Sequence, residues 1–343
     1  MAWTAAVGRS HLSHRAGIAY DDEQSLRNGL MSVASTNGRL PLPEIAPKVA
    51  FVFNAEETLG LEMGGELYRS EPVVRAVLDR CDELLQGELG GSLLDVMFGR
   101  SSNLSDSEVW RSPAVFALQC AQVALWESVG VSPDVVFGIN TGELAAAYAA
   151  GVLKLEDGLV LAARCTELMD GNLDNGNAQA IPEEVSFAPP STHVVSGATG
   201  LQVSPEISMD AAYWARQARS PAALGKCVTT IAKMGVTAVV EVGPDMLLKS
   251  KILADWPKVA QQTTNGIQVP IVLASFKRPR NGSTDESMGS SFSQSVARLY
   301  EAGLNLNFSG LFAGEKRSRI SLPSYPFQRE HYWFKTGASP VSQ

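Results

Sequence analysis

The sequence predicts an α/β fold built on a parallel β-sheet. Short continuous apolar runs recur along the chain, and most are followed by a stretch with helical periodicity. An apolar run of about five residues is typical of a strand buried on both faces, as strands in parallel sheets are. Alternation of such strands with helices indicates a sheet with helices packed on both faces.

Composition limits the classes of function. The chain has 343 residues, of which 45% are hydrophobic and 19% charged, so it is long and apolar enough to bury a large core. With 28 Lys and Arg against 36 Asp and Glu, its formal net charge is -8, which argues against nucleic acid as a partner. Four cysteines without close spacing predict neither a metal site nor a disulfide framework. We predict a cytoplasmic protein that uses no cofactor and contacts no membrane.

The N-terminal segment, residues 1–46, is expected to form a small α/β lobe. Its apolar run Ala16–Tyr20 predicts a strand, and Asp21–Leu26 predicts the start of a capped helix. The composition changes at Lys48, where a new domain is expected to begin.

Strands and helices alternate through the predicted core, residues 47–276. The predicted strands are Val49–Phe53, Asp134–Gly138, Thr192–Val195, Ala238–Val242 and Pro270–Leu273. The predicted helices are Glu71–Gln86, Pro113–Val129, Gly142–Ala150, Leu155–Met169, Ala211–Arg219 and Pro221–Met234.

The C-terminal segment, residues 277–343, has three predicted parts. Arg278–Ser291 is rich in Gly, Ser and Asn and predicts a flexible connection. A helix over Ser293–Glu301 follows. The tail contains Leu322–Phe327, whose two prolines exclude a central strand and whose aromatic residues need an apolar surface to lie on.

The segment Gly138–Glu143 carries the main functional signal. A strand, a sharp turn and a helix in this order are typical of a nucleophile elbow, in which the residue at the apex attacks the substrate. The apex here is Asn140, whose amide nitrogen is delocalised into its carbonyl and cannot attack an acyl group. Asn tolerates a positive φ better than most residues, so we predict that the turn persists without its nucleophile.

Motifs along most of the chain resemble the acyltransferase domain of modular type I polyketide synthases with its two flanking linkers. They are Gly8–His11, Phe51–Phe53, Pro113–Gln119, Gly151–Leu153, Tyr213–Trp214, Glu241–Pro244 and Leu322–Trp333. The resemblance implies an α/β-hydrolase-like core similar to malonyl-CoA:acyl carrier protein transacylase, with a ferredoxin-like small subdomain. It also implies loading of malonyl-type units from coenzyme A, with a ketosynthase and an acyl carrier protein as neighbours.

The chain departs from that family where the family's chemistry lies. The family elbow reads Gly-His-Ser-x-Gly-Glu, and Ile139 and Asn140 replace its His and Ser. The family oxyanion loop reads Pro-Gly-Gln-Gly-Ser-Gln, whereas this chain has Asn54, Ala55, Glu56 and Glu57, and two carboxylates there would oppose an anionic intermediate. We expect most of the small subdomain, with its catalytic His, to be excised around residues 171–184. Arg164 matches the arginine that pairs with a malonyl carboxylate.

These departures predict a non-catalytic domain that acts as a spacer or as a docking surface for an acyl carrier protein or a free-standing acyltransferase. The expected linker and docking residues are Arg9, Tyr325, Phe327, Gln328, Arg329, Tyr332 and Trp333. His11, His14 and His331 are expected to be packing groups of the linkers.

Two alternatives remain open at this point. In one, a divergent acyltransferase or thioester hydrolase uses Thr141 or Cys165 as a displaced nucleophile served by His193. In the other, Arg164 holds an acyl group or carrier arm without reaction, although it could equally pair with Glu56 or Glu57.

Overall fold

Parallel strands form the centre of the protein in a computed structural model. The structure describes residues 1–35, 42–43, 45–54, 64–100, 108–164, 185–204, 209–217, 220–257, 269–275 and 288–324. Within these residues the sheet has five strands in the order β3-β2-β1-β4-β5. They are β1 Val49–Phe53, β2 Val135–Gly138, β3 His193–Val194, β4 Ala238–Val242 and β5 Ile271–Ala274.

Helices connect these strands and cover the sheet. The helices before β2 are α1 Ala2–Gly8, α2 Glu23–Ser35, α3 Gly65–Ser70, α4 Pro72–Leu89, α5 Leu93–Met97 and α6 Glu108–Ser128. The later ones are α7 Gly142–Ala149, α8 Leu155–Ala163, α9 Ala211–Gln217, α10 Leu224–Lys233, α11 Lys249–Asp255 and α12 Met288–Ala302. None of these described helices is long and apolar enough to cross a membrane.

The strands are buried because both faces of the sheet carry a hydrophobic layer. In β1, Phe51 and Phe53 point into the larger layer, which includes α4, α6, α7 and α8. Ala50 and Val52 point into the smaller layer, which includes α10 and α11. Since successive side chains of a strand point to opposite faces, a strand between two apolar layers has a continuous apolar sequence. This confirms the prediction of a parallel α/β fold.

The N-terminal lobe differs from its prediction. Residues Ala16–Tyr20, predicted as a strand, form no strand in the structure. Gly17 instead lies against Ala297 of α12, and Ile18 lies against Gly29 of α2. The apolar run therefore packs on helices, a use of apolar residues that a short run does not distinguish from strand pairing. The capped helix is confirmed as α2, where the carboxylate of Asp22 accepts from the Ser25 backbone N–H at 2.7 Å.

Helix α12 also begins earlier than predicted, at Met288 within the segment predicted as a flexible connection. Residues 325–343 of the predicted tail lie outside the described residues.

The core predicts a contrast between two Leu→Ala changes. Leu78 of α4 is fully buried, whereas Leu30 of α2 is 51% exposed. We expect Leu78→Ala to lower the free energy of unfolding by about 2–5 kcal/mol, because it removes buried contacts and leaves a cavity. Leu30→Ala should change it by less than about 0.5 kcal/mol. Urea unfolding followed by circular dichroism measures both, and equal losses would contradict the assignment of the core.

Candidate functional site

The turn after β2 has the geometry of a nucleophile elbow. Asn140 has a φ of 52°, and no other non-glycine residue in the described part of the chain has a positive φ. The turn closes through two backbone hydrogen bonds, from Gly142 N to Ile139 O at 3.0 Å and from Glu143 N to Asn140 O at 3.1 Å. Helix α7 begins immediately afterwards. The predicted strand, turn and helix are therefore present, with Asn140 at the apex.

Close backbone packing beneath the apex depends on three glycines. A Cβ atom on Gly138 would collide with the backbone of Gly142 and Glu143, and one on Gly142 would collide with the carbonyl of Phe53. A Cβ atom on Gly197, in the loop after β3, would collide with the carbonyl of Gly138. These glycines let β1, β2 and the β3 loop meet under the turn, because no side chain separates their backbones.

The apex itself carries no nucleophile. Asn140 is exposed, and the lone pair of its amide nitrogen is delocalised into the carbonyl, so the side chain does not supply a nucleophile for attack on a thioester. Ile139, at the position where the resemblance expects a histidine, packs against the smaller hydrophobic layer. Thr141, the next residue in the chain, carries a hydroxyl and lies half-buried at the start of α7.

His193 lies at the amino-terminal end of the parallel strands, whereas this turn follows their carboxyl-terminal end. It pairs with Val135, three residues before the end of β2 at Gly138. A strand rises about 3.3 Å per residue, so His193 is about 10 Å from the end of β2 along the strand direction. Its Nδ1 lies 2.9 Å from Nε2 of Gln202, at this amino-terminal end of the strands. The alternative in which His193 serves a nucleophile at Thr141 is therefore wrong for this arrangement.

Arg164 follows α8, a helix packed against α6 and α7. Its side chain is exposed, and its backbone N–H donates to Val160 O and Leu161 O at 3.2 Å each. Several sequence-predicted residues lie outside the described residues, so their placement stays a prediction. They are Ala55, Glu56, Glu57, Cys165, Tyr325, Phe327, Gln328, Arg329, His331, Tyr332 and Trp333.

Asn54 is held in a buried polar network. The residue is 2% exposed, and its Nδ2 donates to Glu241 Oε1 and to Asp245 O at 2.7 Å each. Glu241 Oε1 also accepts from the backbone N–H groups of Leu247 and Leu248, at 2.7 and 2.8 Å. Asn54 therefore ties the end of β1 to the end of β4 and to the start of α11.

Glu241 is the charged residue most affected by this burial. It is 1% exposed in β4, and burial raises the pKa of its carboxyl above the usual range, although the hydrogen bonds from Asn54 and from the backbone of Leu248 and Leu247 oppose that rise. The sequence contains a signal for this buried carboxyl, since Glu241 interrupts the otherwise apolar run Ala238–Val242. A charged residue inside a buried strand indicates a side chain with dedicated partners.

Three more buried polar residues, for which the sequence predicts no role, bind backbone and side-chain groups near the carboxyl-terminal ends of the strands. Gln119 of α6 donates to Asn54 O at 2.5 Å. Gln122 accepts from Gly243 N at 2.7 Å and donates to Gly243 O at 2.9 Å. Glu143 accepts from Gly197 N at 3.2 Å and from the Tyr213 hydroxyl at 3.0 Å. Each is a polar residue within an otherwise apolar helix, which was the available signal, but their partners are distant in sequence.

Residues of the N-terminal linker contact the C-terminal segment. Arg9 donates through Nη2 to Leu322 O at 3.0 Å and to Pro323 O at 2.6 Å. The His11 ring stacks on Phe308 at 5.4 Å between centroids, and its Nδ1 lies 2.6 Å from the Tyr300 hydroxyl. His11 is therefore a packing group between the N-terminal linker and the C-terminal segment, and its role as a packing group agrees with the prediction.

Comparison with known proteins supports the resemblance to acyltransferase domains. A family profile described as the acyl transferase domain matches residues 51–199. The chain is 27% identical over 426 aligned residues to polyketide synthase GfsA of Streptomyces halstedii, covering 97% of this chain and 5% of that protein. It is 27% identical over 411 residues to the phenolphthiocerol synthesis polyketide synthase type I Pks15/1 of Mycobacterium marinum, covering 97% of this chain and 19% of that protein. The chain thus spans a small part of each relative.

Solved structures share the fold. The acyltransferase domain from the second module of the salinomycin polyketide synthase matches with a TM-score of 0.75 and 24% identity, over 95% of this chain and 91% of that one. The malonyl CoA-acyl carrier protein transacylase of Clostridium perfringens matches with a TM-score of 0.60 and 15% identity, over 74% of this chain and 98% of that one. The chain therefore has the fold of these acyltransferases.

The buried carboxyl predicts a specific dependence of stability on pH. The folded-state pKa of Glu241 is raised, so the folded state favours the protonated carboxyl more than the unfolded state does. The stability that the protonated carboxyl contributes is therefore fully present below the usual glutamate pKa of about 4.3. It is lost as the pH rises through the folded-state pKa. We expect Glu241→Gln, which has no charge to bury, to gain stability relative to the wild type across that window, by at most about 1.4 kcal/mol per pH unit.

Unfolding in urea at a series of pH values tests this. Glu83→Gln is the control, because Glu83 is 70% exposed on α4. A free-energy difference between Glu241→Gln and the wild type that does not change with pH would contradict the prediction.

Proposed function

We propose that this chain is an acyltransferase-like domain of a polyketide synthase that does not transfer acyl groups and acts as a spacer and docking surface. The observation that carries the proposal is Asn140 at the apex of an intact elbow, with a φ of 52° and an exposed side chain. Acyl transfer through a covalent intermediate needs a nucleophile at this position and a base within hydrogen-bond reach of it.

The placement of the histidines supports the absence of a base. His193 lies at the amino-terminal end of the parallel strands, whereas the elbow lies at their carboxyl-terminal end. His11 and His14 lie in the N-terminal lobe, where His11 packs on α12 and His14 lies beside Ser13. The fourth histidine of the chain, His331, belongs to the tail.

The length of the alignment supports loss of a lobe. The match to polyketide synthase GfsA extends over 426 aligned residues, whereas this chain has 343, so at least 426 - 343 = 83 aligned positions have no residue here. Only residues 165–184 separate the described end of α8 from Val185. An excision near residues 171–184 would remove the small subdomain that carries the catalytic histidine in the family.

A spacer needs its linkers fixed to its core, and the contacts of the chain ends fit this role. The N-terminal linker, residues 1–46, reaches the C-terminal segment, residues 277–343, through Arg9. Helix α12 of that segment packs on α3 and on β5 of the core, residues 47–276. The adjacent ketosynthase and an acyl carrier protein are the proposed neighbours, and a free-standing acyltransferase is a further proposed partner.

A loading assay tests the non-catalytic part of this proposal. We expect no acyl adduct when the protein is incubated with malonyl-coenzyme A and measured by intact mass, and none for Asn140→Ser, because a serine hydroxyl without a base is not activated. An active malonyl-CoA:acyl carrier protein transacylase treated in parallel is the positive control. A stoichiometric adduct on the wild type would overturn the proposal, and one on Asn140→Ser would show that a base is present.

A second variant distinguishes a missing nucleophile from an inaccessible apex. We expect Asn140→Cys to be alkylated by iodoacetamide in the folded protein, because the apex is exposed. Cys81 and Cys227 should react slowly, since burial raises the pKa of each thiol to about 12. The wild type measured in parallel gives the background, and an unreactive Asn140→Cys would mean that the apex is covered.

A further inference from the structure

We infer that a cleft at the amino-terminal ends of β1, β2 and β3 is a binding site for a small organic carboxylate with an apolar body. This cleft, called the amino-end cleft, is lined among others by Lys48, Pro133, Asp134, Pro190, His193 and Gln202. Its volume is about 470 Å³, which lies in the range of small-molecule sites. The cleft lies at the end of the sheet opposite to the elbow, so the inference goes beyond the function proposed above and does not depend on it.

Three neighbouring strands begin at the amino-end cleft. Lys48 directly precedes β1, Asp134 directly precedes β2, and His193 is the first residue of β3. The strands are parallel, and Val135 pairs with Ala50 on one side and with His193 on the other, so their starting points lie side by side. The sheet therefore brings together three ionisable residues that are distant in sequence.

The ammonium group of Lys48 has hydrogen-bond donors available for a ligand. Its Nζ donates to Met234 O at 3.0 Å, which uses one of its three N–H groups. Lys48 is half-buried, and none of the ion pairs in the described part of the chain includes it. Partial removal from water strengthens the attraction between an ammonium group and an anion.

The contact of His193 with Gln202 determines which ring nitrogen carries the proton. Gln202 Nε2 lies 2.9 Å from Nδ1 of His193, and an amide nitrogen only donates, so Nδ1 accepts and the neutral ring is protonated on Nε2. Within the described residues, Nε2 has no hydrogen-bond partner. A ligand carboxylate has two oxygen atoms and so offers one acceptor to His193 and one to Lys48.

Asp134 is the acidic residue among those that line the cleft. Its Oδ2 accepts from the Val49 backbone N–H at 2.7 Å, so it holds the start of β1 and forms no ion pair with Lys48. The charge of Asp134 opposes an anionic ligand and would favour a cationic one. Its removal therefore reveals the sign of the charge that the cleft selects.

Apolar walls complete the cleft and select the body of the ligand. Pro133, Pro189, Pro190 and Val203 are among its lining residues, and a proline ring carries no backbone N–H. The carbonyl of Pro133 accepts from Thr192 Oγ1 at 3.0 Å, so that carbonyl already has a partner. A few polar groups beside apolar walls are typical of sites that orient an apolar ligand by one polar end. An acid with an apolar body fits this lining better than a small inorganic anion.

Four probes test the ligand class on the whole chain by ligand-observed NMR titration. We expect 4-phenylbutyrate to bind with a Kd of about 1 mM or tighter, as suits an acid of this size. The neutral 4-phenylbutyramide, the cationic 4-phenylbutylamine and acetate should each bind at least about fivefold more weakly, because each lacks either the carboxylate or the apolar body.

Site variants test whether 4-phenylbutyrate occupies this cleft. Lys48→Gln should weaken its binding about tenfold and His193→Phe about threefold, because each removes a donor to the carboxylate. Asp134→Asn should tighten it about twofold or more, because it removes a like charge and keeps an oxygen acceptor. Lys249→Gln and His14→Phe change exposed residues outside the cleft and should leave the affinity unchanged. Circular dichroism checks that every variant is folded.

Each contrary outcome overturns a definite statement. Equal binding of the acid and the amide would show that the cleft does not select a carboxylate. Tighter binding of the amine would show that Asp134 dominates and that the inferred charge of the ligand is wrong. If 4-phenylbutyrate binds the wild type and the Lys48 and His193 variants equally, it binds elsewhere and the site is wrong. If it shows no saturable binding up to about 10 mM, the inference fails as a whole, whereas the non-catalytic role is decided separately by the loading assay.

Discussion

The structure depends on the close approach of backbones beneath Asn140. Gly138, Gly142 and Gly197 bring the ends of β1 and β2 and the loop after β3 into contact without intervening side chains. This packing forces the apex residue into the left-handed region, where asparagine is among the better tolerated residues. The constraint acts through the backbone, so it holds whether or not the apex side chain can react.

Because the backbone packing does not depend on the apex side chain, the elbow persists in a domain proposed to be inactive. Glu143, Gln122 and the pair of Asn54 and Glu241 fix the surrounding loops by buried hydrogen bonds. Breaking such a bond leaves a buried polar group unsatisfied, which destabilises the fold by about 1–3 kcal/mol. The network therefore stabilises the acyltransferase fold independently of catalysis, and it also fixes the start of α11 through the backbone N–H groups of Leu247 and Leu248.

The strands and the elbow were predictable because their signals are local. A parallel strand is buried on both faces, so its residues form a continuous apolar run, and strand β1 was predicted with its observed bounds. Ala16–Tyr20 gave the same signal and packs on helices instead, since an apolar run reports burial and not the partner. The roles of Gln119 and Gln122 were not predicted, because each binds residues far away in the sequence.

The sequence alone determined that the residue at the turn is not a nucleophile for acyl transfer, because the lone pair of a carboxamide nitrogen is delocalised into its carbonyl wherever the residue lies. Only the tertiary structure decided which residues meet at the turn. The pairing of β3 with β2 places His193 at the amino-terminal end of the parallel strands, remote from Asn140. Hydrogen bonds from Ala223 to Gly197 and from Leu247 to Glu241 place the starts of α10 and α11 at the carboxyl-terminal end, where Asn140 lies. Strand direction and register set these distances, and neither is encoded by any short stretch of residues.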